Sequence, residues 1–229
     1  MKIPASIKAT QEERRRVMPG DEIVPHPWFT VTHAITIEAP PEHVWPWLAQ
    51  MGALRGGWYS YDQIDNGGRP SADQVITAYQ RLVPGDILPA LPGATDAFVV
   101  ARVEPPRDLI LTVPDEHGTI TSWEHLLEPL GPTRSRLIVR GRVARGWKAM
   151  ARTAHTEGRR PTLIEYVYRV IGRLPDAWLI GVARLGHRWM EARHMRGIKH
   201  RAEASIAEAS IKERSGVHVS PKCFQDTPG

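Results

Sequence analysis

The sequence predicts an α+β chain in which a curved antiparallel sheet wraps round one long C-terminal helix. Two observations carry this. After Ile87, apolar and polar residues alternate through Ala97 to Val103, Asp108 to Val113, Thr119 to Leu127 and Ser135 to Ala144, with short joints rich in Pro, Gly, Asp and Glu. Such spacing favours sequential antiparallel pairing. From Asp176 to about Arg214 the pattern changes to one amphipathic helix, with Trp178, Val182, Leu185, Trp189, Ala192, Met195, Ile198, Ala202 and Ile206 recurring at steps of three and four. That stripe is expected to face the sheet.

The remaining elements follow in order. Residues 1–24 are charged and without strong period, which predicts a mobile or loosely docked N-terminal arm. Trp28 to Ile37 alternates as a strand, and Pro40, Pro41 and Glu42 open a short helix with Val44, Trp47, Leu48 and Met51 on its apolar face. A second short helix is expected after the aromatic run Trp58, Tyr59, Tyr61, ending near Asn66, Gly67 and Gly68. Pro84, Gly85 and Asp86 turn into a brief strand at Ile87 and Leu88. Residues 146–175 read as a helical insert or lid, so the single domain runs 25–214. Residues 215–229 are polar and predict a disordered tail.

Composition narrows the function classes. The chain has 229 residues, 41% hydrophobic, enough for one domain with a real core. The net charge of +5 is spread along the chain with no recognised nucleic-acid motif, so nucleic acid is not an expected partner. With Cys223 as the single cysteine, neither a disulfide framework nor a thiolate metal site is expected, and a reducing cytoplasm is the default. No apolar run reaches the ~20 residues that span a bilayer.

At residue level the chain resembles the SRPBCC superfamily, the START-like and polyketide cyclase and lipid-transport group, and within it bacterial members. The resemblance lies in Ile35 to Leu48, Arg55-Gly-Gly-Trp-Tyr-Ser-Tyr-Asp62, Val83-Pro-Gly-Asp86, Ser122-Trp123 through Leu127-Glu-Pro129, Thr133 to Leu137 and Met195-Arg-Gly-Ile-Lys-His-Arg-Ala-Glu203. It implies the helix-grip fold and an apolar cavity between sheet and terminal helix. Relatives use that cavity for lipid carriage, hormone binding or cyclisation. His125 stands where the resemblance leads one to expect an aromatic such as Phe.

Strand parity puts Thr121, Trp123, His125 and Leu127 on one face and Ser122, Glu124 and Leu126 on the other, and the rings assign the first set to the concave side. His125 is then either a general base or ligand holder, or a satisfied interior histidine. Trp58, Trp123, His125, Leu127, Val139, Leu185 and Trp189 are the expected ligand-binding residues. His125 with Tyr59 or Tyr61 forms the catalytic alternative, the phenols either polarising a substrate or packing the helix pair. Glu191-Ala-Arg-His194 with His187 has a spacing that metal sites use, yet no second such pair exists, so a solvated face is expected and neither metal nor cofactor. Arg136, Arg140 and Arg142 read as the solvent side of a one-sided sheet. Gly181, Gly186 and Gly197 suggest a bend, close approach or room for a ligand, Gly186 above all.

These observations support a binder of a small or medium apolar molecule, lipid or polyketide-like. The alternatives are a cyclase/aromatase-type enzyme and a membrane-apposed lipid shuttle with weak surface contact.

Overall fold

The computed structural model describes residues 6–92, 97–115, 118–147, 170, 173 and 175–214. The expected tail lies outside these, as does most of the expected insert. The elements run α1 (Gln11–Arg15), β1 (Phe29–Ile37), α2 (Pro41–Ala49), α3 (Asp62–Asp65), β2 (Ile87–Pro89), β3 (Ala97–Glu104), β4 (Asp108–Asp115), β5 (Gly118–Pro129), β6 (Ser135–Val143) and α4 (Asp176–Arg214). The six strands form one antiparallel sheet in the order β1-β6-β5-β4-β3-β2. This is the α+β helix-grip arrangement, with α2 and α4 on the concave face.

Register sets the rows of side chains that α4 meets. Val31, Gly141 and Trp123 lie side by side across β1, β6 and β5, as do His33, Val139 and His125 in the next row and Ile35, Leu137 and Leu127 in the third. The third row is fully buried, together with Trp47, Leu48 and Met51 of α2 and Met195, Ile198 and Ala202 of α4. Burial of this apolar surface, worth roughly 25 cal/mol per Å², holds helix to sheet.

The arm expected to be mobile or loosely docked is packed against the sheet from residue 6 onward. Ile7, Ala9, Met18 and Val24 are buried, the Ala34 N–H donates to the Ile7 carbonyl at 3.1 Å, and Lys8 bridges to His33, covering the edge of β1. The arginines expected to face solvent hold it there. The Arg140 guanidinium, 2% exposed, donates to Asp21 (2.8 Å) and to the carbonyls of Glu13 (2.7 Å) and Arg16 (2.9 Å). Arg142 reaches Asp21 and the Val24 carbonyl, and Arg136 forks onto Glu13. The convex face is therefore covered, and Ser122, Glu124 and Leu126 are buried too.

The apolar stripe of α4 does not stay on one side. A step of three residues falls about 60° short of a turn, and three such steps, Trp189 to Ala192 to Met195 to Ile198, carry the pattern to the opposite side of the helix. Met195, Ile198 and Ala202 are buried, whereas Trp178, Val182, Leu185 and Trp189 are exposed. The face of the first half that meets the sheet is the polar one, His187, Glu191 and His194.

Candidate functional site

The polar face of α4 lies over the first two rows of the sheet, with His187 next to Gly141: a Cβ there would stand 3.5 Å from His187 Nε2, an ordinary contact distance. His187 stacks on His33 with centroids 5.8 Å apart. Glu191, one turn on, is 3% exposed, and its Oε2 lies 3.6 Å from His187 Nε2. His194, a further turn along, meets His125. The ExxH pair expected on a solvated face is thus interior, because that stretch of helix has no other face to offer the sheet.

Hydrogen bonding fixes the protons on the two central histidines. His194 Nδ1 lies 2.6 Å from the Trp58 carbonyl oxygen, which can only accept, so Nδ1 carries the proton. His194 Nε2 is then bare and accepts from His125 Nε2 at 3.2 Å. That leaves His125 Nδ1 as a bare acceptor, and it is buried with no partner. A chain of two hydrogen bonds from a backbone carbonyl therefore presents one imidazole lone pair to the interior.

Other unpaired atoms lie in the same two rows of the sheet and on the facing stretch of α4. Trp123 Nε1, His187 Nδ1, His33 Nε2 and Glu191 Oε1 are likewise buried without a hydrogen bond. An unpaired buried polar group costs about 1–3 kcal/mol, so five in one region mark a place that a polar guest would stabilise. Desolvation lowers His33, holds His125 well below the usual histidine range, also through the neighbouring His194, and brings His187 and His194 down to about 4. Desolvation also pushes Glu191 up to about 8, against the opposing pull of the Trp123 indole N–H, which faces the carboxyl without closing a hydrogen bond. At neutral pH the whole cluster is uncharged in the main.

The apolar wall consists of Trp58, Phe98 and Trp123, with centroids 5.3–5.5 Å apart, and Trp123 sits 4.5 Å from His125. These rings fill the space that the sequence assigned to an open cavity. A groove of about 520 Å³ lined by Pro41, Arg107, Leu127, Glu128 and Leu130 shares only Leu127 with the expected ligand-binding residues and contains none of the unpaired polar atoms.

Of the expected site residues, Trp58, Trp123, His125, Leu127 and Val139 come together on the concave side. Tyr59 and Tyr61 do not join them. The Tyr59 hydroxyl donates to the Trp47 carbonyl at 3.0 Å, and burial drives its titration upward, so it packs α2 in place. Tyr61 stacks on Trp189 at 3.8 Å and 12°. Leu185 and Trp189 lie on the exposed side of α4. Sequence reasoning passed over His33 and read His187, Glu191 and His194 as a solvated face. The i, i+4, i+7 spacing of the last three, with strand parity turning His33 of β1 and His125 of β5 inward, was the available signal.

No protein-family profile matches the sequence, and neither does any curated protein. Among solved structures the chain is similar to the Zhui aromatase/cyclase from Streptomcyes sp. R1128, with 15% identity over 79% of this chain and 97% of that one and a TM-score of 0.45. It is similar to CalU16 from Micromonospora echinospora, with 18% identity over 78% and 86% and a TM-score of 0.32. The Polyketide_cyc-like protein Cgl2372 from Corynebacterium glutamicum has 17% identity over 83% and 96% and a TM-score of 0.37. At such values these likenesses say nothing of what this chain binds.

Proposed function

We propose that the chain binds a small or medium, uncharged, largely apolar molecule bearing a hydroxyl group, between the sheet and α4. The observation that carries this reading is the lone pair on His125 Nδ1, buried, unpaired and fixed as an acceptor by the His194 and Trp58 relay. A ligand hydroxyl would donate to it while Trp123 Nε1 and the Glu191 carboxyl satisfy the oxygen. Phe98 and Trp123 are only partly buried, so rotation of these rings would admit the apolar body against Trp58, Leu127 and Val139.

Binding is favoured over catalysis because His125 has a backbone carbonyl, rather than a carboxylate, at the far end of its relay. An imidazolium formed there would be poorly stabilised, which makes a weak base. A cyclase-type reaction would have to run through the histidines and Glu191, since the phenols are engaged elsewhere. A carrier that exchanges this ligand with a membrane, the lipid-shuttle form of the reading, draws support from the exposed apolar side of α4.

The test compares an alkylnaphthol with its methyl ether by fluorescence titration. One good hydrogen bond predicts that the alcohol binds about ten-fold more tightly, and that His125→Phe removes the difference while the ether still binds. Equal affinities in the wild type, or a preference that survives His125→Phe, would overturn the assignment.

A further inference from the structure

The first half of α4 presents an apolar face to the outside. Trp178 and Leu185 are each 72% exposed, Val182 43% and Trp189 51%. Their spacing of four, three and four places them in one line. The line lies on the side of the helix opposite His187, Glu191 and His194, so it contributes nothing to the core. Gly181 and Gly186 beside it have open space where a Cβ would project, so none of the described residues packs closely on them. At the C-terminal end Trp189 lies flat on Tyr61, which fixes one edge of the surface.

The exposed charges that α4 itself carries around this line past Asp176 have one sign. Arg184, Arg188 and Arg193 are exposed, with Arg188 and Arg193 flanking the line on either side. Between Ala177 and Arg201 the sequence contains a single acidic residue, Glu191, and it is buried. No helix among the described residues is long and apolar enough to cross a membrane. Two tryptophans in an apolar row with arginines at its margins suit the boundary between headgroups and acyl chains, where indoles concentrate and arginine meets phosphate. A second copy of the chain fits less well, because pairing through this face would set arginines against arginines with no exposed carboxylate between them.

We infer that the N-terminal half of α4 is a docking surface for an anionic lipid bilayer, lying in the interface with Trp178, Val182, Leu185 and Trp189 inserted and the arginines on the phosphates. The inference uses the carrier reading only for its purpose. The surface stands on its own residues, and its test leaves the interior untouched.

Co-sedimentation of the full chain with phosphatidylcholine vesicles, with and without phosphatidylserine, reads it directly. Binding is expected to vesicles containing phosphatidylserine, with a blue shift of tryptophan emission, and to weaken as salt is raised. The double variant Trp178→Ser/Leu185→Ser should lose about ten-fold or more in vesicle affinity while its circular dichroism, melting temperature and alkylnaphthol binding stay unchanged. Arg184→Gln/Arg188→Gln should reduce the preference for phosphatidylserine. The proposal is overturned if the wild type ignores both vesicle types or if the serine double variant binds as well as the wild type. A dimer in sedimentation velocity that this double variant abolishes would overturn it too, assigning the face to a second copy.

Discussion

Gly197 of α4 rests directly on Tyr59. A Cβ built on Gly197 would stand 2.7 Å from the Tyr59 Cβ and closer still to the Tyr59 carbonyl oxygen. Tyr59 cannot easily retreat: its φ of 56° is already in the left-handed region, and its hydroxyl is tied to Trp47. Gly197→Ala should therefore cost about 1–3 kcal/mol through overpacking. Gly186→Ala, which meets open space, should leave stability unchanged or raise it by up to ~1 kcal/mol through helix propensity. Urea midpoints of the two variants decide the matter. Equal effects would show that Gly197 is not the close contact and that the glycines merely bend α4.

How far the sequence reaches is seen in α4 and β5 together. Parity on β5 placed Trp123, His125 and Leu127 inward correctly, because a strand's period of two leaves only one alternative and the rings select it. On α4 the same logic failed, since a row of apolar residues at steps of three rotates round the helix and no local signal says where the sheet ends. The histidines followed that error: with the apolar side of the first half taken as the buried one, Glu191 and His194 could only be solvated. The arm was missed for another reason. Its hold on the sheet consists of contacts between Arg136, Arg140 and Arg142 and residues more than a hundred positions earlier, and charge patterning along a chain carries no trace of such pairing.

Removing the Arg140 side chain tests that hold. It is 2% exposed and satisfies Asp21 and the Glu13 and Arg16 carbonyls, so Arg140→Met leaves buried backbone oxygens unpaired and Asp21 with Arg142 as its one remaining guanidinium partner. A loss of about 3–5 kcal/mol is expected, accompanied by faster proteolytic cleavage within residues 7–24 than elsewhere. Cleavage that starts in another region would show that the arm is not held by this side chain.

The buried acids and histidines predict a stability that is roughly level from pH 4.5 to 6.5, where their effects oppose each other, and that falls above pH 6.5. Desolvation pushes Glu124 up to about 7, with the nearby Asp108 adding to it, and Glu191 up to about 8, both from 4.5. Above pH 4.5 the unfolded chain has released these protons and the folded chain has not, so each acid lowers stability as pH rises to 7 or 8. His187 and His194 act in the other direction. The folded chain keeps them neutral down to about 4 while the unfolded chain protonates near 6.5, so each histidine lowers stability as pH drops from 6.5 towards 4. Urea denaturation across pH 4.5 to 9 should give a plateau followed by an alkaline fall. Glu191→Gln should flatten that fall and tilt the plateau, so that stability rises from pH 4.5 to 6.5. A wild-type curve that climbs from pH 6.5 to 8 would contradict the uncharged state assigned to both acids.

The relay itself is tested at His194, which touches His125 and not the proposed ligand. While His194 Nε2 accepts from His125 Nε2, the second nitrogen of His125 is held as an acceptor. In His194→Ala that constraint disappears, and His125 is free to carry its proton on Nδ1 instead. A donor there would serve an ether oxygen as well as a hydroxyl. The roughly ten-fold preference for an alkylnaphthol over its methyl ether should then shrink towards equality, chiefly through stronger binding of the ether. A purely structural role for His194 would weaken both ligands by the same factor and leave their ratio alone. Nitrogen-15 spectra of the histidine side chains give the same distinction without ligand: the wild type should show His125 protonated at Nε2 and His194 at Nδ1, and the variant should show His125 as a mixture of tautomers. An unchanged His125 tautomer in His194→Ala, together with an unchanged ligand ratio, would mean that His125 is oriented by something other than the Trp58 carbonyl acting through His194.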